Sequence, residues 1–259
     1  MKKKAAAVIW SVCILLCGMA GCEREAPVET TVPEAVTTQT EVPEPTEAHS
    51  VYMDEETVRD VQLYGSVLET YRQALTEKWN MEQYAEAGIS YLATYCDGGD
   101  PKQNVCFGFH DLDRDGDREL LIGAAVNDEP VDKQTFEAYD LVDGEPRQLF
   151  CGFERIRYYL CDVDGVFWIA RESSGGAAQS DWLYMVYNGQ ELEVMQGIAF
   201  DADATPETPW YAVHDIDYDV TGAESLDEKT AKSVIASFEE RKISMHRGFA
   251  CQYTFDKLN

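Results

Sequence analysis

Asp111, Asp113, Asp115, Asp117 and Glu119 carry carboxylates at alternate positions, with Gly116 set between the third and the fourth. Carboxylates at that density suit one chemistry above others, the surrounding of a hard cation. Calcium takes six to eight oxygen ligands at about 2.3–2.6 Å. The side chains of Asp111, Asp113 and Asp115 converge on one ion only if the chain curls tightly. Gly116 stands at the sixth position, where that curl needs a residue tolerant of positive φ. Asp117 then offers its backbone carbonyl, and Glu119, at the ninth position, ligates directly or through water. The alternative is a solvated acidic turn; the coincidence of spaced acids with a correctly placed glycine favours calcium. An EF-hand would continue to a bidentate glutamate at the twelfth position. Ile122 stands there instead, and Leu120-Leu121-Ile122-Gly123 reads as a short strand.

A D-x-D-x-D-G loop leading into a strand resembles the strand–loop–strand calcium loops of FG-GAP repeats and, more loosely, dockerin loops. The resemblance covers about a dozen residues and occurs once, whereas a propeller would need it repeated. His214-Asp215-Ile216-Asp217-Tyr218-Asp219 echoes His110 to Asp115, but Val220 replaces the glycine. That copy reads as a strand or a turn with exposed acids.

The elements that must position the loop follow from periodicity. Val61, Tyr64, Leu68, Tyr71 and Leu75 recur at three- and four-residue steps, one face of an amphipathic helix. Asn80 is placed to cap a second helix carrying Met81, Tyr84, Gly88 and Leu92, and Gly98-Gly99-Asp100-Pro101 ends the helical part. From Val105 onward the pattern changes to strands. Asp143-Gly144, Asp164-Gly165 and Asn188-Gly189 sit between β-branched and aromatic runs and predict type I′ hairpin turns. With the hairpin around the acidic loop they give four consecutive hairpins. Ser173 to Ala178 interrupts them as a flexible connection. Ser225-Leu226-Asp227-Glu228 reads as a capping box, opening a helix with Val234, Ile235 and Phe238 on its apolar face, and Phe249 to Phe255 reads as a last strand. The expected fold class is therefore α+β: N-terminal helices packed on an antiparallel β-meander, barrel-like or propeller-like, with a C-terminal helix.

The chain begins with Lys2, Lys3 and Lys4 and an apolar run from Ala5 to Leu16, the form of an export signal. Gly18-Met19-Ala20-Gly21-Cys22 resembles the lipobox of bacterial lipoproteins, which implies cleavage after residue 21 and a lipid on Cys22. Residues 22–50 are rich in Glu, Thr, Pro, Val and Ala and hold no aromatic residue, so they read as a disordered stalk. At about 3.1 Å per residue it would reach on the order of 80–90 Å. Residues 51–259 are then a single globular domain. The whole chain carries a formal charge of −27, and loss of the leader's three lysines makes it more negative still. Nucleic acid is excluded as a partner on that balance.

Cys96, Cys106, Cys151, Cys161 and Cys251 remain beyond the leader and Cys22. In an oxidising compartment a bond between Cys151 and Cys161 is expected, with Cys96 and Cys106 as the other near pair. No H-E-x-x-H, G-x-S-x-G, S-x-x-K or Walker pattern is present. The order of parts — Cys22, the stalk, Tyr64 to Leu75, Asp111 to Leu120 and the hairpin turns — resembles uncharacterised surface lipoproteins of Gram-positive-type gut bacteria. That resemblance implies a lipid-anchored protein on the outer face of the cytoplasmic membrane. The expected function is a calcium-stabilised binding or interaction domain for an extracellular glycan, peptide or protein. The alternative is a surface hydrolase acting on glycan or peptide. A binding module is expected to expose Trp168, Trp182 or Trp210 on one face.

Overall fold

Turn chemistry decides where this chain doubles back. A computed structural model describes residues 53–96, 98–128, 130–205, 207–246 and 250–258. The expectations for the leader, Cys22 and the stalk lie outside the described residues. The strands are β1 (Val105–His110), β2 (Glu119–Ala124), β3 (Gln134–Val142), β4 (Glu145–Cys151), β5 (Ile156–Val163), β6 (Val166–Ser174), β7 (Gln179–Tyr187), β8 (Leu192–Asp201), β9 (Trp210–Val213), β10 (Glu224–Ser225) and β11 (Tyr253–Thr254). Asp143 and Gly144 both take positive φ, as do Asp164 and Gly165, which is the type I′ geometry that matches strand twist. The β7–β8 connection differs from its expected two-residue turn. It spans Asn188–Glu191, and only Gly189 has positive φ. Asn188 Oδ1 accepts from the amides of Gln190 and Glu191, both at 3.0 Å, an Asx arrangement that widens the loop.

All pairings are antiparallel, and the strands form one sheet in the order β10-β9-β8-β7-β6-β5-β3-β2-β1-β11, with β4 on β3. This is an α+β fold with a β-meander. The sheet stays open, ending at β10 and β11, so it is neither a closed barrel nor a set of blades. Ser173 and Ser174 belong to β6, and the four residues after them simply turn into β7. His214 to Asp219 forms turns, not a strand.

The expected first helix is two helices, α1 (Glu55–Leu63) and α2 (Gly65–Glu77), broken at Tyr64. Tyr64, Leu68, Tyr71 and Leu75 still share one buried face. Asn80 and Gln83 cap α3 (Met81–Glu86) reciprocally. That helix is shorter than expected: Gly88 turns at positive φ, and Leu92 lies in a 3-10 segment, Tyr91–Cys96. Asp100 caps a one-turn helix, α4 (Pro101–Asn104), that runs straight into β1. The C-terminal helix α5 (Glu228–Glu239) is capped by Asp227, which accepts from Thr230. Ser225 is not the cap, because it is held in β10. Phe249 lies outside the described residues; among those described, the last strand is Tyr253–Thr254, which gives way to a 3-10 turn.

The N-terminal helices cover one region of the sheet, with Tyr64, Leu68, Tyr71 and Leu75 packed against Phe107, Phe109, Leu120 and Phe255. Helix α5 covers another through Phe238, which stacks on Tyr184 at 3.6 Å between ring centroids. A third cluster, including Leu121, Leu160, Leu183 and Met245, fills the remaining face. Among the described residues no helix is long and apolar enough to cross a membrane.

The five described cysteines are thiols, with no disulfide among them, which corrects the expected Cys151–Cys161 bond. Both lie along the same edge of β3, but Cys151 pairs with Glu137, while β5 meets β3 at Tyr158–Thr135 and Tyr159–Gln134. Cys161 therefore lies two residues beyond Gln134. At about 3.3 Å per residue the two are on the order of 16 Å apart, beyond disulfide reach. Cys96 and Cys106 belong to different core clusters.

Candidate metal centre

The acidic segment leaves β1 at His110 and enters β2 at Glu119, and those two residues are ladder partners. The eight residues between are anchored from within. Leu112 is buried in the core, and its amide donates to Glu119 Oε2 at 2.6 Å. Three further bonds wind the chain on itself: Gly116 N to Asp111 Oδ2 at 3.2 Å, Asp115 N to Asp113 Oδ1 at 3.1 Å, and Asp117 N to Asp115 Oδ1 at 2.9 Å. Gly116 takes φ of 100°, the left-handed curl expected at the sixth position. Arg114 also takes positive φ and reaches the carbonyl of Gly165 at 3.2 Å, tying the loop to the β5–β6 turn.

The outgoing limb is clamped to the helices. Arg118 Nε donates to Asp60 Oδ2 at 2.7 Å, and Tyr64 Oη donates to the Arg118 carbonyl at 2.8 Å. The break between α1 and α2 falls at this same Tyr64.

Asp111, Asp113 and Asp115 each offer a carboxylate oxygen, and those oxygens lie within 4.8 Å of one another. Among the described residues this is the one such group of acids, histidines or cysteines; Asp215, Asp217 and Asp219 are not gathered in this way. Asp117 is different from the first three. Its side chain is exposed and turns toward Arg59 at 3.4 Å. Glu119 lies beneath the loop, 1% exposed.

The electrostatics are those of anions held together. Burial pushes the Glu119 carboxyl up to about 8, reinforced by the negative charges of Asp113, Asp140 and Asp111. Asp113 is raised too, by burial and then by Asp115, Asp111 and Asp140. Asp111 Oδ1 is buried with no hydrogen-bond partner. A cation at the three aspartates would give that oxygen a partner and reverse the sign of the field on Glu119. The residues present thus fit an oxygen-seeking divalent ion.

Further neighbours were invisible to spacing. Asp140 on β3 faces the loop, and its Oδ2 accepts from Tyr187 Oη at 2.5 Å and Arg147 Nη2 at 3.2 Å. Gly189 abuts it as well: a Cβ there would stand 2.7 Å from Asp113 Oδ2. Pairing of β3 with β2 and of β4 with β3 carries Asp140 and Arg147 to the acidic loop, and the β7–β8 loop reaches it from strands farther along the sheet. Trp168, Trp182 and Trp210 are each half-buried. Trp168 packs on Phe238 at 5.6 Å, and Trp182 stacks on Trp210 at 5.9 Å. No family model, curated protein or solved structure matches this chain.

Proposed function

We propose that residues 51–259 form a calcium-stabilised extracellular binding domain, tethered to the outer face of the cytoplasmic membrane through a lipid on Cys22. The observation that carries the calcium reading is the gathering of Asp111, Asp113 and Asp115, with Asp111 Oδ1 buried and lacking a partner. Asp111, Asp113 and Asp115 hold the ion through side chains. The Asp117 carbonyl and Glu119 complete the set in this reading. The ion supplies positive charge to a cluster that otherwise repels itself. With Ile122 in place of a twelfth-position carboxylate, affinity is modest, on the order of 10⁻⁴ M. The role is structural, because the ion fastens β1–β2 beside the β5–β6 turn and the β7–β8 loop.

Isothermal titration calorimetry with calcium on the folded domain tests this. One site of that affinity is expected, lost in Asp113→Ala and poorly filled by magnesium, which demands octahedral geometry. Absence of any binding at millimolar calcium leaves only an acidic turn. The anchor is tested separately: Cys22→Ala should release the protein from the membrane fraction or block its processing. Unchanged processing and membrane retention in that variant removes the lipoprotein reading.

A further inference from the structure

We propose that the seam between β4 and β8 is a docking groove for an extended basic peptide, which binds by adding a strand to the β4 edge. This deepens the reading of the chain as a binding domain and rests on it. The groove is a cavity of about 510 Å³, with Arg147, Gln148 and Leu149 of β4 on one side and Leu192 and Val194 of β8 on the other. The turn from His214 to Asp217 closes one end.

Both walls are strand edges. In the described pairings β4 pairs with β3 alone. β8 pairs with β7 along one side, while β9 covers its other side only from Gly197 to Phe200. Residues Leu192 to Gln196 therefore keep a free outer edge. Such edges are templates for another strand. Pro146 removes an amide at the near end of the β4 edge, which confines pairing to the stretch from Arg147 to Leu149.

The chemistry of the groove selects the strand. Its floor is apolar: Leu149, Leu192, Val194 and Ile216 are half-buried against the core. Its rim is anionic, with Glu191, Glu193, Asp215 and Asp217 all exposed. The cation in the wall, Arg147, is already paired with Asp140 at 3.2 Å. Arg147 also donates to Tyr187 Oη at 2.8 Å, so its charge is spent within the wall and does not oppose a basic strand. An incoming strand alternates its side chains between two faces. Apolar residues at every second position meet the floor, and lysine or arginine between them meets the rim. Main-chain bonds supply affinity and alternate side chains supply specificity. A second copy of this chain does not suit the groove, because a molecule of charge −27 repels its like.

The probe is an acetylated, amidated, fluorescent hexapeptide of alternating valine and lysine, followed by anisotropy in EDTA and in calcium. Comparators are the valine–glutamate peptide and the valine–lysine peptide N-methylated at alternate amides. Saturable binding is expected, weakened at least about ten-fold in both comparators. The double variant Glu193→Lys, Asp217→Lys should weaken the lysine peptide by about ten-fold or more with the thermal midpoint unchanged. Equal binding of the N-methylated peptide overturns strand addition, since charge alone would then suffice. Absence of saturable binding below about 1 mM, or self-association through β4 in sedimentation, overturns the groove. Peptide binding together with no calcium-dependent melting supports the groove and refutes the ion. Calcium-dependent melting without peptide binding refutes the groove alone.

Discussion

Two glutamates on neighbouring strands are buried almost completely and live in opposite surroundings. Glu137 on β3 lies under the N-terminal helical layer, ringed by donors. Tyr139 Oη donates to its Oε2 at 2.5 Å, Cys151 Sγ to its Oε1 at 3.2 Å, and the Ser90 amide also donates to Oε1. Burial pushes its carboxyl up to about 7 against those bonds. Glu119 on β2 receives one amide, from Leu112, and otherwise faces the carboxylates of Asp113, Asp140 and Asp111. The protein completes Glu137 with its own hydrogen bonds. In the proposed calcium-bound state Glu119 and its neighbours are completed from outside, by a cation. In that proposal the structural and the ion-dependent acid differ by their partners, not by their burial.

The largest effect expected from this contrast is at Glu137. Glu137→Leu leaves the donors around it unsatisfied and should cost about 2–4 kcal/mol in urea unfolding. The loss should be the same in EDTA and in calcium; a loss that depends on calcium would erase the distinction between the two acids.

Next is pH. A carboxyl raised from 4.5 to about 7 holds its proton in the folded state, so its contribution is full below 4.5 and is lost as pH rises through 7. Relative to Glu137→Gln, the wild type in EDTA should lose about 2–3 kcal/mol between pH 4.5 and 8. Parallel profiles for the two proteins would contradict a proton on Glu137.

A smaller effect is expected at Glu119. Glu119→Gln removes a carboxyl that the calcium-free fold must either protonate or hold charged among like charges, so calcium-free stability should rise by about 1 kcal/mol while the calcium response shrinks. A fall in calcium-free stability would mean that the Leu112 bond outweighs the repulsion. The smallest is no effect at all: with five thiols and no disulfide among them, a reductant should leave the thermal midpoint in place, where breaking a disulfide would lower it.

What was legible in the chain was local. The turns at Asp143-Gly144 and Asp164-Gly165 could be read because two consecutive positive φ angles demand such residues, and the Asn80–Gln83 cap because its four residues satisfy one another. The acidic loop was legible for the same reason, since its first three aspartates and Gly116 act within six positions. Readings failed where distant elements decide. The Asn188 loop is widened where Gly189 lies against Asp113, and Ser225 was drawn into β10, leaving Asp227 to cap. Cys151 and Cys161, near in sequence, are separated by the β3 register. Asp140 and Arg147 face each other across the Asp143-Gly144 hairpin, but Tyr187 joins them from β7, and no spacing encodes that.

The central claim is that Asp111, Asp113 and Asp115 hold a cation that the fold itself does not require. Thermal melts of the wild type and Asp113→Ala in EDTA, about 1 mM calcium and about 1 mM magnesium test it directly. At ten times the expected dissociation constant the ion contributes about 1.4 kcal/mol, a rise of about 3–6 °C for a domain of this size. The wild type should melt cooperatively in EDTA, rise by that amount in calcium and much less in magnesium. Asp113→Ala should lose the calcium shift and keep or slightly exceed the wild-type midpoint in EDTA, because one repelling charge is gone. A wild type whose midpoint is the same in EDTA and in calcium would contradict a bound cation at these aspartates.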